Sequence, residues 1–251
     1  MKSGPFEGSD FFEESIPALW ELHAEGDMAL VRLVPKGKTG ALLSVDGDAV
    51  GPVRIKDMQF MNVSDGDDIS EKKLAELLRD YVLPAGKKKA LDLLLCSERT
   101  EYELRKRLLA EGYGDSVIDS VFTYVKQFPY LNDERFALNY LYSYGGKKSM
   151  AMLRAGLREK GVSEDLIESA VTQYTEERKA ESNDADTPDE AEDLETKTLR
   201  NLIHKKAPEG TPLTRDQREK ICTSFLRKGF SYSTIRHVLS EYPEYDPEDE
   251  V

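Results

Sequence analysis

The chain has 251 residues and a formal net charge of −13 at pH 7, but its acids are not spread evenly. Residues 181–195 hold eight acids and residues 241–251 hold six, with no Lys or Arg in either segment, so the rest of the chain is close to neutral and a nucleic-acid partner is not excluded. No apolar run approaches the roughly 18 residues that span a membrane, and the N-terminus lacks the pattern of a signal peptide, so we expect a cytoplasmic protein.

The two ends of the chain and one internal segment are predicted to lie outside the folded body. Residues 1–27 are expected to form an N-terminal arm, which is either weakly attached or holds a short amphipathic helix. Low apolar content and dense like charge predict disorder in both acidic segments, with 181–195 as a linker and 243–251 as a tail.

Residues 28–70 are predicted to form a small β-module. The three strand candidates are Met28–Val34, Ala41–Val45 and Asp48–Ile55. Asp46-Gly47 is a strong hairpin signal, and Gly51-Pro52 makes the third strand an edge strand or a bent one. The acidic residues at 65–68 resemble a calcium loop only superficially, because the ligand spacing is incomplete, so a plain turn and then a helix capped near Ser70 are predicted.

From residue 71 the pattern is helical and repeats, with copies over 71–128, 129–180 and 196–242. The copies align on Gly112, Gly161 and Gly229, each of which is predicted to stop a helix in the left-handed conformation. The matching apolar positions are Leu104, Leu153 and Ile221, then Leu108, Leu157 and Phe225, then Ile118, Ile167 and Ile235. Helices are also predicted over Lys87–Cys96 and Leu194–Lys206, and capping sequences begin others at Thr100, Ser149 and Thr214. The predicted fold class is mainly α, with three tandem three-helix repeats in an elongated, curved array after a three-stranded β-module.

The stretch from Tyr130 to Tyr140 is predicted to be the joint between the first two repeats. Asn132 can cap a helix, and Asp133 places negative charge at the positive end of its dipole. Leu131 and Phe136 have the spacing of a hydrophobic staple. These residues are interpreted as architectural.

No residue pattern indicates catalysis or metal binding. The chain lacks GxxxxGK, GxSxG and HExxH sequences, its three histidines are isolated, and no Cys/His cluster has metal-ligand spacing. Cys96 and Cys222 lie in helical patterns and are expected to be buried, reduced thiols. We therefore predict a protein that is not an enzyme, with no cofactor and no catalytic or metal-binding residues.

Basic side chains are the plausible functional chemistry. They could meet DNA phosphates or acidic patches of a protein filament, although each is also explained as a solvated helix surface with local ion pairs. The candidates are Lys87, Lys88, Lys89, Arg99, Arg105 and Arg107 in the first repeat, and Lys147, Lys148, Arg154, Arg158 and Lys160 in the second. Arg154 and Arg158 are four residues apart and share a helix face. The tyrosines at positions 102, 113, 124, 140 and 142 are interpreted as packing residues.

The chain resembles the RecX family of recombination regulators. The most specific part of the resemblance is Tyr130-Leu131-Asn132-Asp133-Glu134-Arg135-Phe136-Ala137, with Leu104, Leu108 and Gly112 before it and Leu153, Leu157 and Gly161 after it. The resemblance implies three tandem three-helix repeats that bind the RecA filament on DNA along its helical groove. It further implies inhibition of strand exchange, ATPase and co-protease activities in DNA repair and the SOS response. The protein would act as a monomer and meet single- and double-stranded DNA through the filament.

Two other functions stay open, a sequence-independent DNA-binding helical protein and an interaction scaffold without nucleic-acid contact. The acidic insert at 181–195 is hypothesised to be an electrostatic brake on DNA binding, because it lies between basic repeats. Its removal would then tighten DNA affinity.

Overall fold

The protein, analysed as a computed structural model, is described over residues 28–183 and 194–245. It divides into two units between Asn132 and Asp133. The predictions for the N-terminal arm, for most of the acidic linker and for the end of the tail lie outside the described residues. Among the described helices, none is both long and apolar enough to cross a membrane.

The first unit begins with an antiparallel sheet. Its strands are β1 (Met28–Lys36), β2 (Gly40–Val45), β3 (Asp48–Arg54) and β4 (Asp68–Ser70), in the order β3-β2-β1-β4. The predicted β-module is confirmed, but the predicted number of three strands is wrong. The fourth strand has only three residues, which pair with the start of β1. It is too short to give a period-two sequence pattern.

Acidic side chains in the sheet turns accept hydrogen bonds from the backbone. Asp46 and Gly47 have φ angles of 53° and 95°, as the predicted two-residue hairpin requires. The Leu33 amide donates to the Asp65 carboxylate at 2.8 Å, and the Ser64 amide donates to Asp67 at 2.7 Å. These hydrogen bonds give the acidic residues of this turn a structural role. Within the described ranges, no group of three or more His, Cys, Asp or Glu is arranged to hold a metal ion.

The helices after the sheet differ from the prediction. A short helix α1 (Ile55–Phe60) was not predicted. The helices predicted near Ser70 and over Lys87–Cys96 are one continuous run, in which α2 (Glu71–Leu77) passes through a π-helical turn (Leu78–Val82) into α3 (Leu83–Cys96). Pro84 lies at the start of α3, and the wider π turn just before it accommodates a residue that would interrupt a regular α-helix.

The sheet and the first repeat share one hydrophobic core. The repeat consists of α3, α4 (Glu101–Glu111) and α5 (Asp115–Val125). Val31, Leu43 and Val50 from the sheet belong to the same buried cluster as Leu104 and Ile118 from the helices. The β-module is therefore stabilised by the repeat that follows it.

The turn between α4 and α5 packs directly on the sheet. The Gly114 amide donates to the Val50 carbonyl at 3.1 Å. A Cβ atom on Gly114 would overlap the backbone carbonyl of Ala49, and a Cβ on Gly112 would lie 2.6 Å from Leu42 Cδ2. Two glycines thus allow the backbone of the turn to reach the sheet.

The second unit holds the other two repeats. The second repeat is α6 (Asp133–Tyr144), α7 (Met150–Glu159) and α8 (Glu164–Asn183), and the third is α9 (Leu194–His204), α10 (Arg215–Leu226) and α11 (Tyr232–Leu239). Each has its own cluster of buried residues, one built around Leu141, Leu157 and Ile167 and the other around Ile203, Phe225 and Ile235. The repeat boundaries at 128/129 and 180 stay a prediction.

The ends of both acidic segments are more ordered than predicted. Helix α8 continues to Asn183 and α9 begins at Leu194, so both ends of the predicted linker are helical. Near the C-terminus, Tyr242 is buried and the Leu213 amide donates to the Pro243 carbonyl at 2.9 Å. The apolar residues at these edges reach the neighbouring cores, and charge density alone does not reveal this.

The same helix stop occurs in all three repeats. Gly112, Gly161 and Gly229 have φ angles of 101°, 77° and 86°, which confirms the predicted left-handed conformation. In each repeat the glycine amide donates to the carbonyl three residues earlier, and the next amide donates to the carbonyl five residues before it, which is the Schellman pattern. The residues joined by the second bond are Tyr113 to Leu108, Val162 to Leu157 and Phe230 to Phe225, and all six are buried. The three glycines on which the predicted copies align therefore end their helices with the same turn.

Hydroxyl caps begin the second helix of each repeat as predicted. Thr100 accepts from the Glu103 amide at 3.1 Å, Ser149 from the Met152 amide at 3.2 Å, and Thr214 from the Gln217 amide at 3.3 Å. At Thr214 the capping box is complete, because Gln217 accepts in turn from the Thr214 amide. Ser70, by contrast, stands at an N-cap position without a side-chain capping bond.

The predicted joint lies at the division of the chain into two units. Helix α6 begins at Asp133, as the capping role of Asn132 predicts. Leu131 belongs to the core of the first unit and Phe136 to the core of the second repeat, so the two side chains of the predicted staple are assigned to different cores.

The prediction that both cysteines are buried is wrong. Both cysteines are free, but Cys96 is exposed and Cys222 is half-buried. The tyrosines interpreted as packing residues are buried to different degrees, because Tyr113 is buried whereas Tyr102 and Tyr142 are about half exposed, with the Tyr142 ring in edge contact with that of Tyr174. Helical spacing identifies the face on which a residue lies, but not whether another element covers that face.

Candidate interaction surface

Most of the arginines and lysines predicted as contacts in the first repeat have local partners. Arg105 on α4 forms ion pairs with Asp115 and Asp119 on α5, and the hydrogen bond to Asp119 is the main reason that its pKa is raised. Arg99 donates to the Leu93 carbonyl at the end of α3. These side chains hold neighbouring helices together.

A second group in this repeat surrounds one carboxylate. Lys89 lies 2.8 Å and Arg107 3.5 Å from Glu111, and the Lys36 ammonium donates to the Glu111 backbone carbonyl at 2.7 Å. The hydrogen bond from Lys89 is the largest cause of the lowered pKa of Glu111. The cations outnumber the acid here, so this edge of the repeat is positive.

Lys87 and Lys88, which precede Lys89 in the sequence, have different surroundings from it and from each other. The Lys87 ammonium lies 4.6 Å from the centre of the Tyr124 ring, and burial lowers its pKa. Lys88 is exposed at the rim of an open groove between the sheet and α3, which Lys36 and Tyr113 also line. Burial raises the pKa of Tyr113 to about 12, because the charged phenolate is disfavoured where water is excluded. The three consecutive lysines are therefore not one patch.

In the second repeat, Arg154 and Arg158 share a face of α7, as predicted, and both reach acids on α8. Arg154 pairs with Glu168, while Arg158 makes two bonds of 2.7 and 2.5 Å to Glu164 and lowers the pKa of that carboxyl. Arg154 lies seven residues before its glycine and Glu168 seven after, the same positions as Arg105 and Asp119 in the first repeat. The arrangement is thus a repeated link between the second and third helices.

Lysines beside aromatic rings make up the rest of the predicted set. Lys147 and Lys148 lie 5.7 and 5.3 Å from the centre of the Tyr144 ring, and Lys160 lies 5.5 Å from that of Phe136. These distances are within the range of cation–π attraction. Lys147 and Lys148 precede α7 in a loop that the prediction placed just ahead of the arginine face.

The third repeat carries basic residues that the prediction omitted. Residues 194–245 contain ten Lys and Arg against six Asp and Glu. Arg218 donates to the carbonyls of Leu239 and Tyr242, and Arg200 pairs with Glu241 at 2.7 Å, so these two are structural. Of the other eight, Lys206 and Arg227 are exposed and Lys228 is half-buried. The excess of Lys and Arg over Asp and Glu in this segment is visible in the sequence.

An exchange of charges tests whether Arg154 is structural. We expect R154E alone to reduce stability by up to about 1 kcal/mol, because two carboxylates would then face each other on the surface. The double variant R154E/E168R should recover the stability and any binding lost, since the link between α7 and α8 is rebuilt. Urea unfolding and a partner-binding assay measure the two effects. If stability returned and binding did not, Arg154 would be a contact residue.

The family relationship agrees with this architecture. The family model described as RecX, first three-helix domain, matches residues 87–124, and the one described as RecX, second three-helix domain, matches residues 132–171. The two matches follow in chain order, and they include the Schellman glycines of both repeats. The first covers α4 and most of α3 and α5, and the second covers α6, α7 and the first part of α8.

The chain belongs to the RecX family.

Curated members of the family align with much of the chain. The regulatory protein RecX of Streptococcus sanguinis is 29% identical over 182 residues, which is 71% of this chain and 63% of that protein. The Lactococcus lactis protein is 31% identical over 73% of this chain and 65% of its own length, and the Geobacillus kaustophilus protein 27% over 85% and 72%. This RecX-family chain therefore spans less than two thirds of the first two of these relatives.

Two solved RecX structures are less similar to this chain in sequence than the three curated relatives above. A crystal structure of regulatory protein RecX has a TM-score of 0.48 and 20% identity over 85% of this chain and all of that one. RecX from Lactobacillus salivarius has a TM-score of 0.47 and 23% identity over 63% and 95% of the two chains.

Proposed function

We propose that this protein binds the filament that a RecA-type recombinase forms on DNA and restrains its strand-exchange, ATPase and co-protease activities. The observation that carries the proposal is the match of two consecutive three-helix repeats to the RecX family, in chain order. The curated relatives are named regulatory proteins, which supports a role in binding rather than catalysis. On this proposal the protein works in the cytoplasm as a monomer without a cofactor, and it meets DNA through the filament.

The distribution of cores and charges supports a large partner. Each repeat buries its own apolar residues, so each can present an outer surface without depending on a shared pocket. Positive groups occur in all three repeats, at Lys88 and Lys89, at Lys147 and Lys148, and at Arg227 and Lys228. A polyanionic filament can meet several of these groups together, which makes binding sensitive to salt.

The test is a titration of the protein into a RecA-type recombinase on single-stranded DNA. We expect ATP hydrolysis and strand exchange to fall as the protein is added, at fewer protein molecules than recombinase subunits, and the inhibition to weaken as salt rises. DNA binding by the protein alone is measured in parallel. No effect at stoichiometric amounts, together with DNA binding, would contradict the proposal and favour a sequence-independent DNA-binding protein.

A further inference from the structure

Two loops that carry cations meet where the third repeat packs on the second. The Ser149 amide, at the start of α7, donates to the Lys228 carbonyl, just after α10, at 3.0 Å. A Cβ on Gly229 would lie 2.5 Å from Ser149 Oγ, so the Ser149 side chain packs directly on the Gly229 backbone. Lys147 and Lys148 on one loop are therefore neighbours of Arg227 and Lys228 on the other. We call these four residues the junction cations.

The junction cations form no ion pair with any acid of the described part of the chain. Among the residues that the structure describes, no carboxylate lies at ion-pair distance from any of the four, whereas Arg154 and Arg158 on the adjacent helix are both paired. Lys206 adds to the cluster, because its ammonium and that of Lys228 lie 5.1 and 4.9 Å from the centre of the same Phe225 ring. Within the described residues, the positive charge of the junction is therefore not compensated by ion pairs.

Helix ends account for only part of this charge. Helices α6 and α10 both end at the junction, and the Lys147 ammonium donates to the Ser143 carbonyl near the end of α6 at 3.1 Å. Each helix C-terminus is equivalent to about half a negative elementary charge. Two ends therefore offset about one of the four positive charges, and an external anion would be attracted to the remainder.

An exposed aromatic ring lies beside the cations. The Tyr144 side chain is 41% exposed, and Lys147 and Lys148 lie within 6 Å of its ring centre. The Tyr140 ring packs against it at 4.8 Å and holds it in place. An acidic protein surface would need only the charges, whereas a ring among cations also suits the unpaired bases and phosphates of a single strand.

We propose that the junction cations and Tyr144 form a binding site for single-stranded DNA, in which the cations contact backbone phosphates and Tyr144 stacks on a base. The site requires no sequence readout, because every base has an aromatic face. This direct contact goes beyond the proposed function, in which the protein meets DNA through the filament, and it can be measured with the protein and DNA alone.

The test measures the affinity of the full chain for a fluorescent oligothymidine by anisotropy at several salt concentrations. The junction variant K147Q/K148Q/R227Q/K228Q is compared with the control K38Q/K56Q/K72Q/K106Q, which removes the same charge from exposed lysines of the first unit. We expect the junction variant to bind at least tenfold more weakly and its salt dependence to decrease by about two to three in log–log slope, at about 0.7 per phosphate contact. The control should change affinity less than threefold.

The role of the ring is tested separately. Y144A should weaken binding about tenfold through lost stacking, and Y144F should bind like the unchanged protein. Equal losses in the junction and control variants, or none in either, would overturn the site. An unaffected Y144A would overturn stacking. A junction variant that kept its DNA affinity but lost recombinase inhibition would assign these cations to an acidic protein surface instead.

Discussion

Replacing Gly114 with alanine should destabilise the first unit by about 3 kcal/mol, at the upper end of the cost of overpacking. The φ and ψ angles of Gly114 are −78° and 159°, which alanine adopts readily, so backbone strain does not contribute. The cost is steric, because the new Cβ would occupy the position of the Ala49 carbonyl oxygen. That oxygen belongs to the backbone of β3 and cannot move aside as a side chain would. The turn between α4 and α5 would have to separate from the sheet, and the bond from the Gly114 amide to Val50 would be lost.

Gly146→Ala is the matched control. A Cβ at Gly146 meets nothing within 4 Å, and its φ angle is not positive, so we expect stability within about 0.5 kcal/mol of the unchanged protein. Urea unfolding gives the overall effect. Hydrogen exchange should show lost protection in peptides from 28–70 and unchanged protection in peptides from 133–183. Equal stability of the two variants would mean that the sheet does not depend on this contact.

Removal of the third repeat should raise the protein concentration needed for half-maximal recombinase inhibition about 100-fold. Linked contacts on one chain bind together, and the loss of one set commonly costs a factor of about 10² to 10⁴ in avidity. A chain that ends at residue 193 keeps all the buried residues of the first two cores, because the third repeat has its own buried cluster, and it loses only the half-buried Leu194 from the edge of the second core. It also loses Arg227 and Lys228.

The folding of the shortened chain must be checked before its activity is interpreted. Its circular dichroism should show the remaining helices, and its hydrogen exchange should show intact protection around Leu141 and Leu157. The inhibition assay then compares it with the full chain at the same salt concentration. Undiminished inhibition by a folded, shortened chain would show that the third repeat adds nothing to filament binding, and the argument from linked contacts would be wrong.

The sequence by itself determined the repeat and its turns. The Schellman glycines are recognisable because a residue with a positive φ angle and a buried apolar neighbour leaves a local pattern, and Gly112, Gly161 and Gly229 repeat it. Hydroxyl caps at Thr100, Ser149 and Thr214 are local as well. For the same reason the Asp46-Gly47 hairpin was predictable, since its geometry depends on two adjacent residues.

Only the tertiary structure decided which groups are neighbours and which are free. Asp119 and Glu168, which pair with Arg105 and Arg154, each lie fourteen residues further along the chain on another helix, and a pattern along one helix face does not reveal them. The short strand β4 and the backbone contact of Gly114 with β3 depend likewise on distant segments. The junction cations come from two loops about 80 residues apart in sequence, joined by one backbone hydrogen bond. Charge and exposure depend on such long-range contacts, so the sequence could predict the basic residues but not the place where they gather.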